Sequence, residues 1–200
     1  MQEQIRQHLM DHDEHLAPIV EQLPFPQIIS TGSVFHDLMS CVIEQQIHYR
    51  STKRTFERLL ERANLTLLTP DSIPQFEERA LGTIKLSGRK IETMERVIDF
   101  FSHPEPDWTG MTDEAVRETL GGIKGIGPWT VDMILLYTLQ RPNVFPVGDF
   151  HLKKLMTALY EIDPSRPLAK EMKQIAELWR PYQSFGVLYV LEWKKQQSKR

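Results

Sequence analysis

The chain of 200 residues has little cysteine and no long apolar run. Its one cysteine, Cys41, excludes an intramolecular disulfide and any zinc or iron–sulfur site built from several cysteines. Because Cys41 lies in a hydrophobic stretch between Met39 and Val42, we expect it to be buried. No apolar segment approaches the length of a transmembrane helix, and no signal peptide is apparent, so contact with a membrane and secretion are not expected.

A large excess of charge of one sign is also missing. Lysine and arginine total 24 against 27 acidic residues, for a formal net charge of −3. A protein of this balance does not coat nucleic acid by bulk charge. A local basic face stays open, because affinity for phosphate depends on the few cations that meet it. Candidates are Lys153, Lys154 and a basic tail, for which a solvated terminus is the favoured interpretation: Lys194, Lys195, Lys199 and Arg200.

Strand-like alternation is scarce, and helical spacing recurs throughout the chain. Phe35, Leu38, Met39, Val42 and Ile43 repeat with the period of an amphipathic helix. The sequence therefore predicts an all-α protein, as one unit or as two closely packed helical lobes, without an N-terminal β domain. Ser87 and Thr112 are the best candidate N-caps. The helices are predicted near 2–16, 34–48, 52–63, 71–80, 88–101, 112–120, 128–139, 150–160, 168–179 and 183–195.

Glycine is sparse, yet four of the ten glycines fall within residues 120–130. This segment predicts a helix, a glycine hairpin and a second helix that Pro128 begins, with Asp149 before the next helix. Exposed amides at a helix N-terminus bind anions such as phosphate. A plain inter-helix turn also explains the glycines. A dinucleotide-binding fingerprint does not, because the preceding segment predicts a helix instead of a strand.

This pattern resembles the helix-hairpin-helix DNA glycosylases, and most closely their 3-methyladenine DNA glycosylase II branch. The motif carrying the likeness is Gly-Ile-Gly-Pro-Trp-Thr at 125–130, with Asp149 twenty residues after Trp129. The stretches at 41–47 and 179–188 resemble other parts of the family, so the likeness spans roughly 30–195. It implies one glycosylase unit over 1–200, with the helix-hairpin-helix at about 112–139 and C-terminal helices at 150–195.

Asp149 is the catalytic residue that the resemblance implies. As a residue type at this position it is also an ordinary helix N-cap, and both roles are compatible. A carboxylate there lies in the positive field of the helix, which favours its ionised form. Its charge can then stabilise the oxocarbenium-like state of glycosidic cleavage, or it can orient a water molecule.

The resemblance also assigns a base pocket and a phosphate grip. The pocket would contain Trp129, Met133, Tyr137 and Leu191, with aromatic rings suited to a cationic alkylated base. Met133 and Leu191 depart from the aromatic residues usual in the family, and Tyr137 or Tyr189 would compensate. Trp129 occupies the position of the catalytic lysine of bifunctional relatives, so no imine chemistry is expected. The phosphate-binding residues would be Ile123, Lys124, Gly125, Ile126, Gly127 and Thr130.

Gln46, with its neighbour Gln45, aligns with the family's wedge position, where a side chain fills the gap left by a flipped base. Polar capping of a helix end is the other interpretation. His8, His12 and His15 share one helix face, but nearby Asp11, Asp13 and Glu14 favour a solvated surface over a metal site. No cofactor is expected, although carbonyls near Ile123 or Ile126 fit a structural monovalent cation by analogy with the family.

The sequence therefore predicts a monomeric, monofunctional glycosylase that excises alkylated purines from double-stranded DNA in base excision repair. Its location would be cytoplasmic and nucleoid-associated, or nuclear. The alternatives are a DNA-damage binder without catalysis, a bifunctional glycosylase/lyase and a helical protein-interaction module. Asp149 argues against the first, because binding alone needs no acid there, and Trp129 argues against the second.

Overall fold

The computed structural model describes residues 1–44 and 53–197, and this part of the chain is helical without any strand. Two 3₁₀ turns lie at Pro70–Ser72 and Leu81–Thr83, and a π-helix lies at Ile134–Thr138. The prediction of an all-α protein is confirmed. The α-helices are α1 Gln2–His12, α2 Ala17–Gln22, α3 Val34–Ile43, α4 Lys53–Ala63, α5 Ile73–Arg79, α6 Gly88–Phe101, α7 Asp113–Gly121, α8 Pro128–Met133, α9 Phe150–Leu159, α10 Leu168–Glu177 and α11 Gln183–Gln197.

The described chain divides into two compact units, whereas the sequence left one unit or two lobes open. The middle unit comprises residues 30–134 and contains α3 to α8. The terminal unit comprises residues 1–29 and 135–200 and joins the first two helices to the last three. The polypeptide therefore passes from one unit to the other twice.

The core of the middle unit is built around α3, every residue of which is buried. It packs against α6 and α4. Phe35 of α3 meets Phe101 of α6 edge to face, with ring centroids 5.3 Å apart. Cys41 is 4% exposed, as predicted. This helix has an apolar residue on nearly every side, which explains why it is enclosed and does not lie at the surface.

The terminal unit is organised around α11, which packs against α2, α9 and α10. Asp13 is the polar centre of this unit and is only 3% exposed. One of its oxygens, Oδ2, accepts hydrogen bonds from Trp179 Nε1 at 2.6 Å and from the Tyr160 hydroxyl at 2.7 Å. Burial and the nearby Asp13 charge both raise the pKa of Tyr160, so Tyr160 is the donor in this pair.

Asp13 corrects two predictions. The helix predicted over 2–16 ends at His12, because Oδ1 of Asp13 accepts from the amides of His15 and Leu16 and directs the chain into the unpredicted α2. The prediction that Asp13 belongs to a solvated acidic face is also wrong. Its charge is compensated by four hydrogen bonds, as a buried carboxylate requires.

Two negative findings apply to the described residues alone. No helix there is long and apolar enough to cross a membrane. No group of three or more histidine, cysteine or acidic side chains is arranged there to hold a metal ion. His8 and His12 instead stack on each other, with ring centroids 4.2 Å apart.

Candidate functional site

The glycine hairpin lies between α7 and α8 in the middle unit. Thr112 caps α7 by accepting a hydrogen bond from the Ala115 amide at 3.2 Å, as predicted. The turn depends on Gly125, whose φ of +106° is a conformation that other residues rarely adopt. A Cβ at this position would also overlap the hydroxyl and methyl groups of Thr93 on α6. Position 125 therefore requires glycine for two independent reasons.

Gly127 serves the hairpin in a different way. Its φ of −93° is ordinary for any residue, and it is the N-cap of α8. A Cβ there would meet no other atom within 4 Å. Glycine at 127 is thus not required by the fold, and it leaves the backbone at the start of α8 open to close approach.

Two arginines hold the hairpin from either side. Arg117 of α7 forms an ion pair with Asp132 of α8 at 2.5 Å, which joins the two helices. Burial raises the pKa of Asp132, and the Arg117 hydrogen bond and charge oppose that shift. Arg96 of α6 donates from Nη1 to the Lys124 carbonyl at 3.4 Å. The hairpin backbone is therefore fixed relative to three helices of the middle unit.

The predicted phosphate-binding residues differ in accessibility. Lys124 and Gly125 are exposed, and Gly127 is half-buried. The other three members of the predicted set are buried: Ile123, Ile126 and Thr130. Thr130 is 2% exposed, so nearly all of its side chain is covered by the protein. The exposed part of the hairpin is thus backbone around the two glycines together with the Lys124 side chain.

The predicted base-pocket residues are divided between the two units. Trp129 is half-buried and Met133 is buried, and both lie on α8 of the middle unit. Tyr137 is buried and Leu191 half-buried, and both belong to the terminal unit. Tyr189, the alternative aromatic residue, is fully buried and its hydroxyl accepts a hydrogen bond from Arg6 Nη1 at 3.0 Å.

The helix predicted over 128–139 changes its winding partway. It is α-helical from Pro128 to Met133 and π-helical from Ile134 to Thr138. A π-helical turn re-aims the side chains that follow it and is frequent at functional sites. The change falls between Met133 and Tyr137, two of the predicted pocket residues.

Asp149 is the N-cap of α9, as predicted. Its Oδ1 accepts hydrogen bonds from the amides of His151 at 2.9 Å and Leu152 at 2.8 Å. These bonds fix the carboxylate in the positive field of the helix N-terminus. Phe150, directly after it, is 71% exposed.

The chain segment that leads to Asp149 is held in place by Ser184 of α11. The role of Ser184 was not predicted from the sequence. The Ser184 hydroxyl donates to the Arg141 carbonyl at 2.5 Å and accepts from the Val144 amide at 2.9 Å. Phe145 packs edge to face on Trp179, with centroids 5.9 Å apart. The resemblance at 179–188 already contained Trp179 and Ser184, and their contacts show that this motif anchors the segment leading to Asp149.

The predicted wedge residues and the two lysines of α9 remain to be located in the structure. The wedge residues Gln45 and Gln46 lie outside the described part of the chain. Lys154 is exposed and Lys153 half-buried on α9.

The family match and the similar proteins both relate this chain to base excision DNA repair. A model of the HhH-GPD superfamily of base excision DNA repair proteins matches residues 39–181. The chain is 29% identical over 195 residues to a Bacillus subtilis protein provisionally named DNA-3-methyladenine glycosylase YfjP. The aligned region covers 92% of this chain and 68% of that protein.

Two solved structures show the same fold. A DNA-3-methyladenine glycosidase from Bacillus halodurans superposes with a TM-score of 0.77 and 25% identity, over 97% of this chain and 90% of the other. A Schizosaccharomyces pombe 3-methyladenine DNA glycosylase in complex with abasic DNA superposes with a TM-score of 0.80 and 23% identity. The superposition covers 96% of this chain and 97% of the other.

Proposed function

The chain belongs to the HhH-GPD superfamily of base excision DNA repair proteins, and from this premise we propose that it is a monofunctional DNA glycosylase for alkylated purines. It hydrolyses the N-glycosidic bond of 3-methyladenine in double-stranded DNA and leaves an abasic site. It acts as a monomer on the DNA of the cytoplasm or nucleus, because a damaged base has no symmetry for a dimer to match. The observation that carries the proposal is the Asp149 carboxylate, fixed at the start of α9 by two backbone amides.

Asp149 supplies electrostatic stabilisation. Cleavage of the bond between base and sugar develops positive charge on the sugar ring, and a fixed carboxylate stabilises that charge. Hydrogen bonds from two backbone amides hold Oδ1 of Asp149 in place before substrate arrives. Little reorganisation is therefore needed during the reaction. A purine alkylated on its ring carries positive charge and leaves readily, so a single acid suffices.

Trp129 serves base recognition instead of strand cleavage. Its indole ring can stack on a cationic purine. An indole has no amine to form an imine with the sugar, so no lyase step follows. Activity on 7-methylguanine or other damaged purines would depend on the side chains that meet the base, of which Met133 lies on α8 with Trp129.

The exposed hairpin grips the DNA backbone. The amides around Gly125 and Gly127, with the Lys124 ammonium, are suited to a phosphate group. Gln46, with Gln45, would fill the space that the extruded base leaves, offsetting a flipping cost of roughly a few kcal/mol.

The proposal is tested on methylated duplex DNA, with the released bases identified by mass and strand breaks scored before and after alkali. We expect free 3-methyladenine, and breaks that appear only after alkali. Salt-sensitive binding without base release would indicate a damage binder. Breaks without alkali would show a bifunctional enzyme, and the monofunctional assignment would then be wrong.

A further inference from the structure

Phe150 is the one aromatic side chain in the exposed class among the residues that the structure describes, and it is 71% exposed. It is the first residue of α9 and directly follows Asp149. Its ring meets the ring of His151 edge to face, with centroids 5.1 Å apart. Single exposed apolar side chains are common on protein surfaces. What distinguishes Phe150 is its place beside the carboxylate on which the proposed function depends.

Lys154 lies on the same face of α9 as Phe150. Residues four apart on an α-helix are neighbours on its surface, and positions 150, 154 and 158 are all exposed. Leu152 and Met156, which point to the opposite side, are buried. The outward face of α9 therefore begins with an aromatic ring and continues with a lysine whose Cα lies about 6 Å further along the helix axis.

The reaction proposed for Asp149 determines what lies against this face. The carboxylate can stabilise charge on a sugar only if the sugar of the extruded nucleotide contacts it. The Cα atoms of residues 149 and 150 are about 3.8 Å apart. Successive nucleotides of a strand are separated by about 3.4 Å along a duplex. The nucleotides next to the damaged one are therefore within reach of the first turn of α9.

Charge favours the same occupant. The Asp149 carboxylate repels the phosphates of the strand on which it acts, and the chain as a whole has a formal net charge of −3. A cation close to Asp149 offsets this repulsion. Lys154 is exposed one turn beyond Phe150, so its ammonium group is available to a phosphate. A ring that packs on a nucleotide beside a cation that binds a phosphate is the combination typical of surfaces that bind a nucleic-acid strand.

We infer that Phe150 and Lys154 form a contact surface for the DNA strand that carries the damaged base. Phe150 packs on the nucleotide next to the extruded one, and Lys154 binds a phosphate of the same strand. The inference rests on the proposed function, which brings the sugar to Asp149. It adds a strand contact on α9 of the terminal unit to the phosphate grip of the hairpin, which belongs to the middle unit.

The experiment measures the affinity of the full chain for duplex DNA that carries an abasic-site analogue, over a series of salt concentrations. No base is excised from this DNA, so binding is measured without turnover. Phe150→Ala removes the ring, Lys154→Met removes the charge, and Lys154→Arg keeps the charge. The matched controls are Leu178→Ala, which shortens another exposed apolar side chain, and Lys170→Met, which removes an exposed lysine of α10.

The two contacts should respond differently to salt. Phe150→Ala should weaken binding about tenfold at every salt concentration, because a lost stacking contact carries no charge. Lys154→Met should weaken binding most at low salt and reduce the slope of log affinity against log salt by about one. Lys154→Arg, Leu178→Ala and Lys170→Met should match wild type in both affinity and slope.

Phe150→Trp gives a direct signal from the contact. An indole keeps an aromatic surface at this position, so the affinity should stay near that of wild type. The added fluorescence, taken as the difference from the wild-type chain with its four tryptophans, should be quenched at saturating DNA because the indole stacks on a nucleotide. Leu178→Trp is the control, and its added fluorescence should not respond to DNA.

Thermal unfolding of each variant shows whether it is folded. Folded Phe150→Ala and Lys154→Met proteins with wild-type affinity and salt slope would overturn the inference, and so would an unquenched Phe150→Trp. Base release from methylated duplex by wild type tests the proposed function separately. Release together with unchanged binding in the variants would refute only the contact surface. The predicted binding changes without release by wild type would support the surface and refute the glycosylase activity.

Discussion

In the proposed function Asp149 has two roles, N-cap and catalytic charge, and different substitutions can separate them. As an N-cap it satisfies two amides of α9, and asparagine does this nearly as well as aspartate. As a carboxylate it supplies negative charge, which asparagine does not. Asp149→Asn therefore keeps the helix and removes only the charge. Asp149→Ala would remove both and cost about 1 kcal/mol of stability from the lost cap.

Gly125 should tolerate no side chain. Gly125→Ala places a Cβ into Thr93 and forces alanine to a φ of +106°. We expect a loss of about 1–3 kcal/mol in unfolding free energy, measured in urea, and weaker binding to duplex DNA because the hairpin backbone shifts. Gly121→Ala, in open space at the end of α7, is the matched control and should be neutral or stabilising by up to about 1 kcal/mol. Equal stability and DNA affinity in wild type and Gly125→Ala would contradict this account.

The elements around the hairpin depend on the pair between Arg117 and Asp132. The pKa of Asp132 is raised above its ordinary 3.8, first by burial, while Arg117 opposes the shift. An acid whose pKa is raised by folding favours the folded state most below its unfolded pKa. Its contribution is lost as the pH rises through the folded pKa. The free energy of unfolding of the wild type should therefore decrease slightly as the pH rises above about 4, because of Asp132.

Arg117→Met should enlarge that decline. Without the arginine, the pKa of Asp132 rises further, and a buried carboxylate without its cation costs up to about 3 kcal/mol at pH 7 and much less near pH 4. Urea unfolding at both pH values measures the difference. The exposed pair Arg166–Glu171 is the control, and Arg166→Met should cost under about 1 kcal/mol at either pH. A loss in Arg117→Met that is the same at both pH values would show that Asp132 is not the cause.

Individual elements could be predicted where local signals were strong. The bounds of α6 were predicted correctly, and Thr112 caps α7 as expected. The end of α1 was missed because it depends on Asp13, whose partners Tyr160 and Trp179 are 147 and 166 residues away in sequence. A local pattern of charges around Asp13 resembles a solvated face, and only long-range packing shows otherwise.

At the scale of the whole molecule, the sequence predicted either one unit or two closely packed lobes, and it did not indicate which segments would form the lobes. The terminal unit joins the first 29 residues to those after 134, and no local pattern reports such a pairing. The candidate site shows the same limit. Asp149 and the hairpin followed from a short motif, whereas Ser184 acts through contacts across 40 residues or more. Side chains that position others leave little trace in local sequence.

The charge of Asp149 is the central claim of the proposed function. The most direct measurement is single-turnover release of 3-methyladenine from methylated duplex by wild type and Asp149→Asn, with DNA affinity and unfolding free energy measured on the same proteins. We predict a loss of about a hundredfold or more in the rate, with affinity within a few-fold and stability within about 0.5 kcal/mol. Release by Asp149→Asn at the wild-type rate would contradict the account.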